Sequence, residues 1–304
     1  MDKPRIVVLG SYNTDLVTFS PRIPQPGETI LGSGFKTGPG GKGSNQAVAA
    51  ARVGAAVTFV GRIGRDMFGE MALKVWQEAG IATDYVIQDG EAPTGVATII
   101  VDDHGENIIV VASGANWRVS PADVERAESA IAASRVFLTQ LETPPDAVRR
   151  GLQIARQHGV TTILNPAPGQ PLTPDLLALV DIITPNQTEA AIITGVSSVN
   201  ATEACAALRA HGANTVVMTL GSEGVLLYND SGPQHFPAFR VDKVVDTTGA
   251  GDAFNGGLAV ALAEGRPLAE AIRFASATGA ISVTRPGATE SMPTRAEVEA
   301  FLRR

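Results

Sequence analysis

The chain has 304 residues, 44% of them hydrophobic and 18% charged, enough apolar mass for a large buried core in one α/β domain or a domain with a small appendage. A formal net charge of −7, with no Lys/Arg cluster, argues against a nucleic-acid partner, which needs a basic footprint. The start, MDKPRIVVLGSYNTD, reads as a core strand rather than a signal peptide, and no stretch approaches the roughly 18 uninterrupted apolar residues of a membrane span. Cys205 is the only cysteine and sits in a helical pattern, TEACAALRAHG; it reads as packing, and the lack of any disulfide fits a reducing, cytoplasmic compartment.

Short, continuously apolar runs alternate with helical patterns along the chain. RIVVLG, VTFVGRIG, RVFLTQLE, VTTILNP, DIITPN and TVVMTLG read as strands buried on both faces. SNQAVAAARVG, DMFGEMALKVWQEAG, SPADVERAESAIAAS, PDAVRRGLQIARQHG and TEACAALRAHG carry 3.6-residue apolar stripes, and most of them end at glycine. The alternation predicts right-handed crossovers and a mostly parallel sheet with helices on both faces, a three-layer αβα architecture. Two segments break the rhythm. Residues 13–37 hold Pro21, Pro24, Pro26 and Gly27 among strand-like pieces, and 94–111 reads as a hairpin turning near Asp103–Gly105. Both are expected to form a small β-sheet lid on a single domain spanning 1–304.

In chain order, the chemistry-bearing candidates begin with GSYNTD, which follows the first strand. In open α/β sheets ligands sit beyond the carboxyl ends of strands, where Asn13 and Asp15 emerge. A paired amide and carboxylate suit a vicinal diol, and Glu142 at the end of RVFLTQLE invites the same reading; plain turn chemistry is the alternative for Asn13 and Asp15. GPGGKGSN, residues 38–45, opens a helix. It fails as a P-loop because Gly43 follows Lys42, and its GxGxxG match (Gly38, Gly40, Gly43) follows an irregular segment rather than a first strand. A glycine turn with Lys42 and Asn45 reaching hydroxyls, or simply a helix start, remains. In TPNQTE, Asn186 and Glu189 end a strand and begin a helix, where capping is the plain alternative. The stretch Thr219–Gly224 is equally consistent with a simple hairpin.

VVDTTGAGDAFNGG is the most informative segment. Gly249-Ala250-Gly251 leads into a small-residue helix, whose first amides and dipole suit phosphate oxygens. Asp252 falls in the first turn, either as a dipole partner or as a base accepting a proton from an attacking hydroxyl. The histidines, at 104, 158, 211 and 235, lack metal-ligand spacing, and no GxSxG elbow occurs.

Taken in order, GSYNTD, GGKGSNQAVAAARVGA, TPNQTE and DTTGAGDAFNG resemble the signatures of the PfkB (ribokinase) family of carbohydrate kinases. The similarity continues through TLGSEG and VTRPGATES along essentially the whole chain. It implies a ribokinase-like fold and ATP-dependent phosphorylation of D-ribose at O5. By this resemblance Asn13, Thr14, Asp15, Gly41, Lys42, Gly43, Ser44, Asn45 and Glu142 would hold the sugar, and Asp252 would deprotonate it. Gly249, Ala250 and Gly251 would form an anion hole. Asn186, Thr219, Leu220, Gly221, Ser222, Glu223, Gly224, Gly251 and Ser276 would contact ATP. Asn186 and Glu189 would help place Mg2+, largely through water. Asp246, Thr248, Ser282, Arg285, Gly287 and Ser291 would hold an activating K+, mostly by main-chain carbonyls. A homodimer through the lid strands is also implied. In deoxyribokinases of the family an apolar residue stands where this chain has Asn13, which favours ribose here. The competing readings are another sugar or nucleoside kinase of the family, an NAD-dependent oxidoreductase using Gly38, Gly40 and Gly43, and a non-catalytic sugar-binding regulator.

Overall fold

The computed structural model of the chain describes residues 3–196 and 200–304. Thirteen strands form two sheets among the described residues. The first half supplies β1 (Arg5–Leu9), β2 (Asn13–Ser20), β3 (Gly34–Gly40), β4 (Ala56–Gly64), β5 (Ala82–Asp89), β6 (Gly95–Asp102) and β7 (Asn107–Ala112). The second supplies β8 (Val136–Thr139), β9 (Thr161–Leu164), β10 (Ile182–Ile183), β11 (Thr215–Thr219), β12 (Val225–Asn229) and β13 (Gly232–Phe236). The larger sheet has the order β13-β12-β11-β10-β9-β8-β1-β4-β5. It is parallel from β5 to β11, and β12 and β13 close one edge as antiparallel strands.

Helices cover both faces of this sheet, and the register of β1 shows how. Ile6 and Val8 point into one core, shared with α1 (Lys42–Arg52), α2 (Met67–Glu78), α9 (Ala250–Ala263), α10 (Leu268–Ser282) and α11 (Arg295–Leu302). Val7 and Leu9 point into the other. That core is completed by α3 (Pro121–Arg126), α4 (Glu128–Ala132), α5 (Pro145–Gln157), α6 (Pro174–Leu177), α7 (Gln187–Thr194) and α8 (Ala201–Ala210). A strand with apolar neighbours above and below has no solvent face to make polar, which is why these runs read as continuous. The three-layer αβα expectation therefore holds. The stripe expected over 120–134 forms two short helices, α3 and α4, with Ala127 between them.

The second sheet has the order β3-β2-β6-β7 and comes from the two segments that broke the alternation. Its first insertion runs further than residue 37, because Gly38, Pro39 and Gly40 are the end of β3, paired with Asp15, Thr14 and Asn13. The GPGG stretch is therefore strand rather than turn until Gly41, whose positive φ of 87° begins α1. This arrangement also separates the GxGxxG match from β1, against the dinucleotide reading. On the far edge, Ile108, Ile109, Val110 and Val111 of β7 are all exposed.

Two glycines set the helix spacing that matters for the site. A Cβ on Gly256 of α9 would lie 2.6 Å from the Ala49 side chain and 2.8 Å from the Gln46 carbonyl of α1. On Gly257 it would lie 2.7 Å from the Thr278 hydroxyl of α10. Their absence of side chains brings α1 and α10 against α9 at close range.

Candidate active site

The first turn of α9 is open. Gly249 precedes it in the left-handed region, φ 75°, where a side chain is disfavoured. The Ala250 amide donates to the Thr247 carbonyl at 3.2 Å. The Gly251 and Asp252 amides find no acceptor among the described residues. They lie where the helix dipole is positive, so an anion is the natural partner. A Cβ on Gly251 would meet nothing within 4 Å, and the space beside it is a cavity of about 700 Å³. Thr219, Gly221, Ser222, Glu223, Gly224, Ala250, Gly251 and Ser276 line that cavity, so most of the expected nucleotide residues converge there. The buried Ser276 hydroxyl has no protein partner. Leu220 and Asn186 are the exceptions: Leu220 packs against one core, and its amide donates to the Gly224 carbonyl.

Asp252 is buried where α9 meets α1. Its Oδ2 accepts from Asn45 Nδ2 at 3.0 Å and its Oδ1 from Gln46 Nε2 at 2.9 Å. Burial pushes its carboxyl above the usual carboxylate range, against the opposing pull of the Lys42 ammonium and the two amides. Burial also works against the Lys42 charge, but Asp252, Glu142 and Glu189 outweigh it and hold that ammonium above its ordinary pKa. A buried carboxylate whose basicity is raised, beside free amides, can accept a proton while an anion is held next to it.

The polar groups opposite come from β2 and the end of β8. Asn13 pairs with Gly40 on one side and Gly95 on the other, and those two glycines leave room for large polar side chains. A Cβ at Gly40 would strike the Asp15 carboxylate, and one at Gly95 would strike Asn13 Oδ1. Burial pushes the Asp15 carboxyl up to about 6, and Glu142 and Glu290 add to the effect. Glu142 Oε2 accepts from the Lys42 amide at 3.0 Å, from Asn13 Nδ2 at 3.5 Å and, in a short contact, from the Ser11 hydroxyl. Asn116 fixes the Asn13 amide: its Nδ2 donates to Asn13 Oδ1 at 2.9 Å, leaving the Asn13 amino group to serve as donor. Asn13, Asp15, Gly41, Lys42, Asn45, Glu142 and Asp252 thus form one neighbourhood.

Three residues of the same segments face elsewhere. The Thr14 hydroxyl donates to Tyr12 Oη, and Ser44 Oγ accepts from the buried Trp76 indole N–H at 3.0 Å. Gly43 packs directly on the backbone of Gly10 and Ser11. Gly43 lets α1 approach the turn after β1, and Ser44 ties α1 to α2.

Asn186 and Glu189 form a reciprocal capping box at the start of α7, with Glu189 N donating to Asn186 Oδ1 at 2.8 Å and Asn186 N to Glu189 Oε2 at 2.9 Å. A bridge to Thr219 puts Asn186 at the cavity rim, and burial pushes the Glu189 carboxyl up. Near the first turn of α9, Asp246 accepts from the Thr248 and Gly287 amides, both at 2.9 Å, which staples residues 246–248 to the 285–291 loop. The Ser282 and Ser291 hydroxyls donate to the Gly279 and Ala288 carbonyls, and Arg285 pairs with Glu297. These contacts fix the side chains of the two loops, whose main-chain carbonyls and remaining oxygen lone pairs are what they could offer a cation.

Sequence reasoning passed over Ser11, Gln46, Asn116, Gln140, Asn165, Thr184, Asn255 and Thr289. Ser11, Gln46, Thr184, Asn255 and Thr289 lie inside motifs read above, so proximity was available as a signal. Asn116, Gln140 and Asn165 are joined to the site only by the fold.

A base at an anion-binding helix start, with a row of amides and carboxylates near it and a nucleotide-sized cavity beside the same helix start, defines a phosphotransferase acting on a hydroxylated small molecule. The pfkB family carbohydrate kinase profile matches residues 3–295, and the chain belongs to that family. Haemophilus influenzae ribokinase is 45% identical over 300 residues, covering 98% of each chain. Salmonella typhi deoxyribokinase is 35% identical over 301 residues, again covering 98% of each. The structure of Arabidopsis thaliana ribokinase complexed with ribose and ATP superposes with a TM-score of 0.92 at 33% identity, covering 100% of both chains.

Proposed function

We propose that this carbohydrate kinase transfers the γ-phosphoryl of ATP to O5 of D-ribose, giving D-ribose 5-phosphate and ADP. The observation that carries the reading is the placement of Asp252. Its carboxylate is held by two neutral amides, beside the unpartnered amides of α9 and opposite Asn13, Asp15 and Glu142. Asp252 takes the proton of the sugar hydroxyl as that oxygen attacks in line. The Gly249–Gly251 turn receives the charge that spreads over the transferring phosphoryl group. Asn13, Asp15, Lys42, Asn45 and Glu142 hold the ring hydroxyls. The 700 Å³ cavity takes the nucleotide, with Ser276 and the Thr219–Gly224 turn against it. The second sheet is a lid on a single kinase domain; closing it excludes water from the phosphoryl group.

Among the described residues no three His, Cys, Asp or Glu side chains converge as a metal cage. Asn186 and Glu189 would help hold Mg2+ that arrives with the nucleotide, largely through water, and the ion would supply charge neutralisation at the phosphates. The oxygen-rich loops stapled by Asp246 suit K+ beside the anion hole, through Asp246, Thr248, Ser282, Arg285, Gly287 and Ser291.

Ribose is preferred to 2-deoxyribose because Asn13 presents a donor that the deoxy sugar leaves unpaired. A second copy of the chain pairs with the exposed apolar edge strand β7, giving a homodimer. No helix of the described residues is long and apolar enough to cross a membrane, and a cytoplasmic location agrees with the chemistry.

A coupled ADP-release assay over pentoses, hexoses and nucleosides, with and without K+, tests the assignment. The expected result is highest kcat/KM with ribose; equal or greater kcat/KM with 2-deoxyribose overturns the substrate. Asp252→Asn is expected to keep ribose binding while kcat falls about 10²–10⁴-fold.

A further inference from the structure

Behind Asp252 runs a buried chain of amides that no sugar or nucleotide role accounts for. Gln46 Nε2 spends one hydrogen on Asp252 Oδ1 at 2.9 Å and lies 3.0 Å from Asn165 Oδ1, its second acceptor. Gln46 Oε1 accepts from Gln140 Nε2 at 2.6 Å. Asn165 in turn donates through Nδ2 to the Thr184 carbonyl at 3.0 Å, so its oxygen must face Gln46. Gln46, Gln140 and Asn165 are 0%, 1% and 7% exposed. Water cannot reorient amides buried this deeply, so each one's flip state is dictated by the next.

One atom in the chain shows that the orientation is held at a cost. Gln140 Oε1 is buried without a partner. Turning Gln140 over would set oxygen against Gln46 Oε1, and correcting that by turning Gln46 would present its oxygen to the Asp252 carboxylate. The orphaned oxygen is the lesser penalty. Among the described residues only Asn45 and Gln46 hydrogen-bond the Asp252 carboxylate. The charged groups that face it are Lys42 on α1, Glu142 after β8, Asp15 on β2 and Glu189 on α7, none of them bonded to it. Two donors on separate oxygens fix both the plane and the rotation of the carboxylate, and each oxygen keeps a lone pair.

We propose that Gln46 is a positioning residue: its amide, locked by Gln140 and Asn165, holds the Asp252 carboxylate at the rotation in which a free lone pair faces the sugar hydroxyl. The inference rests on reading Asp252 as the base.

The test compares Gln46→Met, Gln140→Met, Asp252→Asn and the Gln46→Met/Asp252→Asn double variant in kcat, in the acid limb of the kcat–pH profile, and in ribose affinity by calorimetry. Met keeps the length of Gln and removes its hydrogens. Gln46→Met should lower kcat at least about tenfold while ribose affinity stays within about threefold, since misaiming the base harms only the reacting geometry. Its acid limb should move to higher pH, because a donor that favoured the ionised carboxyl is gone. Gln140→Met should move both readouts the same way by less. The double variant should be no slower than Asp252→Asn, as expected of residues acting as a unit. A normal kcat in Gln46→Met overturns the proposal. So does a lower kcat with the acid limb unmoved and the loss fully additive with Asp252→Asn, which is the behaviour of a merely structural residue. If Gln46→Met does not fold, Gln140→Met decides by the same criteria. Near-normal turnover in Asp252→Asn removes the base itself, whereas its collapse beside an unaffected Gln46→Met removes Gln46 alone.

Discussion

Replacing Gly251 by alanine separates folding from phosphoryl transfer. Gly251 is helical, and an added Cβ meets nothing within 4 Å, so no clash opposes the change. Alanine is favoured over glycine in a helix by roughly 0.5–1 kcal/mol, and the variant should gain up to that amount of stability. The open space is the cavity beside the unpartnered Gly251 amide. A methyl group there holds phosphate oxygens off that amide. Losing one such donor costs about 10²–10³-fold in kcat, and that is the expected drop. Denaturant midpoints and the ADP-release assay read the two quantities on one preparation. Gly256→Ala, five residues on, should do the reverse at the level of folding, because its Cβ would lie 2.6 Å from Ala49 and 2.8 Å from the Gln46 carbonyl. A Gly251→Ala protein with unchanged kcat/KM for ATP would refute the assignment of that space to phosphate.

Gly43→Ala would place a Cβ 2.5 Å from the Ser11 amide nitrogen and 2.7 Å from two Gly10 backbone atoms. No rotamer relieves it, so a stability loss of about 1–3 kcal/mol and a fall of about 10²-fold in kcat/KM for the sugar are expected, read by denaturation and steady-state kinetics. The Asp15 carboxyl, raised from 3.8 to about 6, binds its proton more tightly in the folded state than in the unfolded one. Its contribution to stability is therefore full below about pH 4 and is lost as pH rises through about 6. Asp15→Asn should melt above the parent at pH 7.5, with the gap closing by pH 4, and should bind ribose poorly at both; a gap that widens on acidification contradicts this. The Cys205 thiol, buried and pushed up to about 12, should resist maleimide at pH 8 in the folded protein and react on unfolding.

The parallel strands were legible because burial on both faces leaves their sequences uniformly apolar, as in β1, β8 and β9. The strands passed over lie at the sheet edges: β5, ATDYVIQD, carries Asp84, Gln88 and Asp89, and β13, GPQHF, carries Pro233. Edge strands face water, and polar residues there erase the signal. The long α10 was also unread: its run FASATGAIS is small and apolar nearly all round, because it is pressed against α9 through Gly257. Within the site, residues of the glycine-bearing motifs could be read from spacing, since backbone approach to a ligand demands glycine locally. Gln140, Asn165 and Thr184 end three successive strands and meet Gln46 or Asn255 only through tertiary hydrogen bonds. Nothing beside Gln140 or Asn165 distinguishes them from ordinary strand-end polar residues, and Thr184, though it opens TPNQTE, gives no sign in sequence of its bond to Asn255.

Asn13 and Asp15 stand on β2 of the smaller sheet, whereas Asp252 stands on a helix clamped between α1 and α10 by its two adjacent glycines. In the proposed reading, recognition is therefore shared between the smaller sheet and α1, which carries Lys42 and Asn45, while the base stands on α9. An engineer who wants another acceptor can vary β2 and the residues facing it, at Gly40 and Gly95, without touching the helix that carries the base.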